Sequence, residues 1–565
     1  MRKVVSSTCV IALLLVAAGL CRAQETQTKP LVTVSFSGYD NLMTDAGYVG
    51  KLLGKPDMVK GMEGMLEAMT QGKGLAGLDK SRPWGVVAST DGEAFPVTGF
   101  LPVTDLKELM GVLAGLDVQA KEGEDGVWKI SLPGPSVFIK QKGEWAFVGQ
   151  SAEALANVPE DPTTALGGLD EKYDLAAKAS VKNIPPVFRQ MALAQIQLGM
   201  NIEQMPGEPD EQFAARKKLA EQAVKPFTTM LDEWAEILVG INVDESTQAA
   251  TLDVEVTAVE GTNTAKQFAQ MADAKSSFTG VNLPDAAVVA NWAGALTDDD
   301  VAQLKTYLET FRENTAKELK KQNLSEEQLK LAGKIITDLL DVVEKSIEMK
   351  KSDGGFALVL DPKAVTAVGG TVIADGAKLE STLKLLVAEM KKDAPELGEM
   401  LKLDAETYEG IRFHVLNVPL ADPKLEAMVG KTAEVVVGIG DDKLYLAAGR
   451  DATATLKKVM DDSKAADDDM PPVKVTIVAT PIAKFVAEVA EELQVKMMAQ
   501  MVAGTLQAGG GMDRVVITSE PIPNGARTRI VIEEGLLKMI LAAAQMFGAG
   551  GPPTGPGGGA APTPF

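Results

Sequence analysis

Two cysteines, Cys9 and Cys21, are all that this 565-residue chain carries, and both fall within its first two dozen residues. A chain cut after them has no thiol, which excludes disulfides, thiolate metal sites and a cysteine nucleophile. Histidine is scarcer still, with His414 alone. One imidazole without thiolates leaves the common zinc sites and a Ser-His-Asp triad short of parts. Cations are outnumbered, 56 Lys and Arg against 78 Asp and Glu, for a net charge of -22. Such a surface repels phosphate backbones and anionic headgroups, so nucleic acid is excluded as a partner. Beyond the start of the chain, no apolar run reaches the roughly 18 to 20 residues of a transmembrane helix.

What is present begins with a leader. Met1, Arg2 and Lys3 are followed by the short apolar run "VIALLLVAAGL" and then "CRAQ". This is the layout of a secretory signal peptide, residues 1–23, with cleavage after Ala23. A lipid anchor on Cys21 would want a small residue before it, and Leu20 stands there. The expectation is a secreted or periplasmic protein, with no transmembrane segment after cleavage. At the other end "GAGGPPTGPGGGAAPTPF", residues 548–565, has almost nothing to bury and is predicted to be disordered.

Between these ends the chain reads as written twice. "KGEWAFVGQSAEALANV" sets Gly149 on Gly449 of "DDKLYLAAGRDATATLKKV", Trp145 on Tyr445 and Ser151 on Asp451. Phe36 and Gly38 fall on Trp292 and Gly294, Gly85 and Asp91 on Gly355 and Asp361, and Gly126 on Gly410. A period of roughly 250 residues means a duplicated domain rather than a solenoid. Alternating segments such as "TLDVEVTAV" and "RIVIEE" read as half-buried strands joined by short turns, hence antiparallel. The predicted fold is therefore α+β: two homologous halves, each an antiparallel sheet with helices packed on one face. The halves span 30–275 and 280–547, with helical inserts over about 205–235 and 298–351. Ser325 is expected to cap the second helix of the latter insert.

The recurring strand–Gly–cap–helix pattern, "EWAFVGQSAEAL" and "KLYLAAGRDATATL", resembles an uncharacterised family of secreted bacterial proteins. The resemblance implies the fold and the compartment. It brings no assigned activity and no catalytic residue.

Candidate chemistry is sparse. Ser151 lacks the G-x-S-x-G of a nucleophile elbow, since Glu153 takes the last glycine's place, and Ser and Asp share the role of helix cap there. His414 alternates within "IRFHVLNV" on a face with Arg412 and Leu416, as a satisfied or solvent-facing residue; catalysis would pair it with Asp404 or Glu406. "DDSKAADDDM" lacks the glycine and glutamate of an EF-hand loop and reads as a solvated loop. The most distinctive pattern is methionine. Met58, Met62, Met65 and Met69 recur at i, i+4, i+7 and i+11, one stripe of a helix, and Met497, Met498 and Met501 form a second group. Thioethers in a stripe serve as soft core packing, as an adaptable surface for apolar partners, or as copper(I) ligands.

The reading that follows is a non-enzymatic exported binding or structural protein of the cell envelope, without a cofactor. Its ligand-binding residues are Met58, Met62, Met65 and Met69, and its partner is an unknown protein or apolar ligand. A carboxylate-based secreted hydrolase and a Met-based copper(I)-binding protein are the alternatives.

Overall fold

A computed structural model of the chain describes residues 28–548, except 116–117, 132–135, 200–202, 323, 362, 394–399 and 466–469. The expected signal peptide, residues 549–565 of the tail and the triple aspartate 467–469 lie outside the described residues. The chain divides into two compact units after Ala265.

Among the described residues the first unit holds ten strands: β1 Lys29–Phe36, β2 Trp84–Thr90, β3 Val97–Pro102, β4 Gln119–Glu122, β5 Val127–Ser131, β6 Val137–Lys142, β7 Trp145–Gly149, β8 Leu175–Ser180, β9 Trp234–Asp244 and β10 Ala249–Ala258. All pair antiparallel in the order β4-β5-β6-β7-β3-β2-β1-β8-β9-β10. The second unit holds β11 Ala286–Ala295, β12 Lys351–Asp361, β13 Ala364–Val372, β14 Leu401–Tyr408, β15 Ile411–Pro419, β16 Thr432–Ile439, β17 Lys443–Gly449, β18 Val473–Val478, β19 Arg514–Ile522 and β20 Gly525–Glu533. Their order is β14-β15-β16-β17-β13-β12-β11-β18-β19-β20, again wholly antiparallel. The expected α+β class with antiparallel sheets is therefore observed.

Strand for strand, the second order repeats the first. The registers agree as well: Ser35 lies opposite Gly85 in one unit and Asn291 opposite Gly355 in the other. The hairpin joining the fourth and fifth strands of each unit turns on two consecutive left-handed residues, Asp125–Gly126 at φ 55° and 71°, and Glu409–Gly410 at 53° and 80°. Left-handed pairs give a turn whose twist matches the flanking strands, which accounts for glycine in both places.

Helices occupy matching gaps. Between first and second strands lie α1 Tyr39–Leu52 and α2 Met58–Met69 in one unit, and α6 Asp298–Leu319 and α7 Glu326–Glu348 in the other; α3 Leu106–Gly115 and α8 Gly376–Asp393 each follow the third strand. Between eighth and ninth strands lie α4 Pro186–Gly199 and α5 Asp210–Glu233, against α10 Ala479–Val489 and α11 Leu493–Ala508; α9 Ala452–Ala465 follows β17. The segments read from sequence as inserts thus hold the same places as α1–α2 and α10–α11. Length hid the match, since α6 and α7 run 22 and 23 residues against 14 and 12. Ser325 does cap α7, accepting the Gln328 N–H at 3.2 Å while the Gln328 side chain accepts the Ser325 N–H at 3.1 Å. Thr297 and Asp300 form the same reciprocal box on α6.

The second unit's core gathers Phe278, Phe413, Val436, Tyr445, Leu456 and Val459, pressed between α9 and the sheet. The first has an aromatic cluster of Phe100, Trp145 and Phe147 over Leu155 and Leu166, and an aliphatic one beneath α3 with Leu106, Met110, Ile130 and Ile139. No helix among the described residues is long and apolar enough to cross a membrane.

Candidate functional site

The methionine stripe faces outward. α2 buries none of its residues, and Met62, Met65 and Met69 are 48%, 66% and 52% exposed. Met58 is half-buried against Gly50 of α1, where an added Cβ would come within 3.0 Å of the Met58 Cβ. The C-terminal turn is pinned by buried Thr70, whose Oγ donates to the Leu66 carbonyl at 2.7 Å. Gly61 and Gly64 face open space, and each costs about 1 kcal/mol of helix propensity relative to alanine. Of the uses open to such a stripe, these exposures remove core packing.

Two further apolar stripes stand open. On α11, Leu493, Met497, Met498 and Met501 are 55–71% exposed; on α4, Val187, Met191 and Leu198 are 55–69% exposed. The α4 stripe was legible, because residues 187, 191, 194 and 198 repeat the i, i+4, i+7, i+11 spacing of α2, but no run of one residue type marked it.

His414 is buried, 1% exposed, and not solvent-facing. It lies with Arg412 on the face of β15 opposite to Phe413 and Val415, beneath α8. Leu403, Asp404 and Ala405 bulge opposite it, with Asp404 at φ 51°, so the Asp404 N–H donates to His414 Nδ1 at 3.1 Å. Nδ1 accepts, so the ring proton sits on Nε2, 3.9 Å from Glu380 Oε1. Glu380 of α8 accepts from Arg412 at 2.5 Å and from Lys384 at 2.8 Å, and Lys384 also reaches Asp404 at 2.8 Å. Burial alone would raise the Glu380 pKa, but the hydrogen bonds from Lys384 and Arg412 outweigh it and hold the carboxyl below its usual range. Burial pushes His414 down, against the pull of Asp404 and Glu380, and keeps the imidazole neutral. Glu406, the other expected neighbour, pairs instead with Lys457 at 2.6 Å.

Glu380, Asp404 and His414 present ligand-type atoms within 4.8 Å of one another. A cation does not fit them. Both carboxylates are neutralised by Lys384 and Arg412, and Nε2 carries a proton that cannot move to Nδ1 while the Asp404 N–H points there. Instead, the Nε2–H of His414 and the Nε–H of Arg412 are buried donors without acceptors, which suits an internal water.

In the first unit the same place is apolar. Asp105 and Asp375 cap α3 and α8 alike, accepting the Glu108 N–H at 3.2 Å and the Lys378 N–H at 2.9 Å. Five residues on stand Met110 and Glu380. Counted from Gly126 and Gly410, Trp128 and Ile130 answer to Arg412 and His414. Met110, Ile130 and Trp128 pack together beneath α3.

A pair of acids forms a second polar feature. Asp45 on α1 shares a carboxyl–carboxylate hydrogen bond with Asp174, which precedes β8 and also accepts the Val243 N–H at 2.7 Å. Burial first, then Asp174 and Asp244, push the Asp45 pKa up to about 7, so Asp45 holds the proton. Its Oδ2 is buried and receives no N–H.

The Ser151–Asp451 correspondence holds in position and fails in chemistry. Ser151 Oγ accepts the Ala154 N–H at 3.2 Å, but it opens a single 3₁₀ turn, Glu153–Leu155. Asp451 sits at φ 51°, and Glu434 from β16 accepts the Thr453 N–H of α9 at 2.8 Å. A cross-strand carboxylate has taken over the cap.

Comparison with protein-family models, with curated proteins and with solved structures finds no match for this chain.

Proposed function

We propose that this chain is a non-enzymatic exported binding protein of the cell envelope, built by duplication of one α+β unit, whose α2 methionines receive an apolar segment of a partner protein. The observation that carries the reading is α2 itself, a helix with no buried residue that turns Met62, Met65 and Met69 to solvent. Contiguous exposed apolar surface is a solubility liability unless a partner covers it, and unbranched thioethers re-pack around varied shapes. Asp57, paired with Lys60 at 3.2 Å, and Glu63 and Glu67 border the stripe, three acids to one cation. Carboxylates around an apolar strip favour a partner helix whose own apolar face is flanked by Lys or Arg. Duplication is supported by the matched strand orders and registers. Export is supported by the leader's composition, the lack of cysteine beyond it and the resemblance to secreted proteins.

For the hydrolase alternative, the Asp45–Asp174 pair keeps its proton in a shared hydrogen bond and the Oδ2 of Asp45 is buried, which disfavours this pair as the acid and base of hydrolysis. The copper(I) alternative needs the same exposed thioethers, and one experiment separates it. The full chain is titrated with a fluorescent amphipathic Leu/Lys helix, beside the triple variant Met62→Ala, Met65→Ala, Met69→Ala. We expect the variant to bind about 30-fold more weakly, about 2 kcal/mol, with an unchanged melting curve. Equal affinity for both proteins would overturn the reading. A copper(I) adduct in native mass spectra, lost in the variant while peptide binding persists, would replace it with the metal reading.

A further inference from the structure

None of the chain's 78 acidic residues falls in α4 or α11, the two helices whose apolar stripes stand open between the eighth and ninth strands of the two units. The stripes are built alike. Val187, Met191 and Leu198 are bordered by exposed Gln190, Gln195 and Gln197, while Leu493, Met497 and Met501 are bordered by exposed Gln494, Gln500 and Gln507. Each helix has one cation. Arg189 is spent on backbone carbonyls, among them Leu231 at 3.0 Å and Lys182 at 2.7 Å, and Lys496 is half-buried. Neither helix therefore carries a carboxylate along its length, on a chain whose net charge is -22, although the exposed Glu491 and Glu492 stand just before α11.

This sets them apart from α2. An apolar face rimmed by amides and free of carboxylates offers a basic helix nothing to pair with. It lacks the Lys and Arg rim with which interfacial helices hold an anionic lipid surface. A surface of its own kind fits it: apolar against apolar, amide against amide, as in the self-complementary contact of a two-fold dimer. Two copies of so acidic a chain repel wherever acids meet across a Debye length of about 8 Å. They can approach where acids are missing. We propose that α4 and α11 are the surfaces through which a second copy of this chain associates.

The proposal is independent of the reading of α2, and the test keeps them apart. The full chain is followed by sedimentation velocity from roughly 1 to 100 μM, in low salt and in about 0.5 M salt, where charge repulsion is screened. Association should grow with concentration and tighten with salt. The double variants Met497→Glu/Met501→Glu and Met191→Glu/Leu198→Glu, shown to be folded by circular dichroism, should each weaken it about tenfold or more. Met62→Glu/Met65→Glu on α2 should leave it unchanged. A monomer throughout this range, or association that neither double variant weakens, would overturn the proposal. Co-flotation of a monomeric wild type with phosphatidylcholine–phosphatidylglycerol vesicles, lost in the double variants, would also overturn it and assign the stripes to lipid.

Discussion

Arg412→Ala will destabilise the second unit by about 2–3 kcal/mol, whereas the triple exchange Glu380→Met, Arg412→Trp, His414→Ile will stay within about 1 kcal/mol of the wild type or exceed it. The single change removes the guanidinium from a carboxylate whose side chain is only 10% exposed, and Lys384 alone must then hold it. Leaving a buried charge half-compensated is what makes breaking such a pair costly; the partial exposure of Arg412, 34%, places the cost below the fully buried range. The triple exchange removes the buried Glu380 together with Arg412, leaves Lys384 paired with Asp404, and installs the residues that pack beneath α3 in the first unit. Urea unfolding, with hydrogen exchange across β14–β16 as the local readout, measures both. If Arg412→Ala costs less than about 0.5 kcal/mol, the four charges do not act as one network.

Asp45→Asn is expected to stabilise the first unit by about 1–2 kcal/mol at pH 8 and to change little at pH 5. The native pKa of about 7 lies above the roughly 4 of an unfolded aspartate. The stability linked to this group is therefore fully present below about pH 4 and is lost as pH rises through 7, where the ionised carboxylate faces Asp174. Asparagine cannot ionise, and its amide can donate to Asp174. The undiscounted shift would be worth about 4 kcal/mol, and partial solvent access reduces it. Melting curves of both proteins from pH 5 to 8 give the answer. Parallel curves would show that Asp45 does not hold the proton. Because α1 leads directly into α2, looser docking of α1 at high pH would also be felt by the methionine face.

The architecture was legible in the sequence because it is local. Alternation marked the strands, Gly126 and Gly410 marked the tight turns, and "SEEQ" at Ser325 marked a capping box. Periodicity also placed the four α2 methionines on one stripe, but it gives the angle of a stripe and not the side that faces the core. That side was decided by α2 packing on α1 and burying nothing of its own. The buried cluster was hidden for a different reason. Asp404 is named beside His414 from the sequence alone, but Glu380 comes from a separate helix 24 residues before Asp404, and the Asp404 N–H reaches the imidazole only because three residues bulge opposite one. The Ser151–Asp451 pair shows the limit of matching by residue type, since a carboxylate on β16 assumed the capping role in the second unit.

The most direct test of the central claim is methionine oxidation footprinting by mass spectrometry, with the purified chain compared to the same chain in the intact cells that produce it. In the purified protein Met62, Met65 and Met69 should oxidise rapidly, while buried Met110 and Met460 resist. In those cells, a partner seated on α2 should slow the three exposed residues about tenfold and leave the buried ones unchanged. Equal oxidation of α2 in both settings would mean that nothing covers the stripe where the protein works, and the binding account would fall.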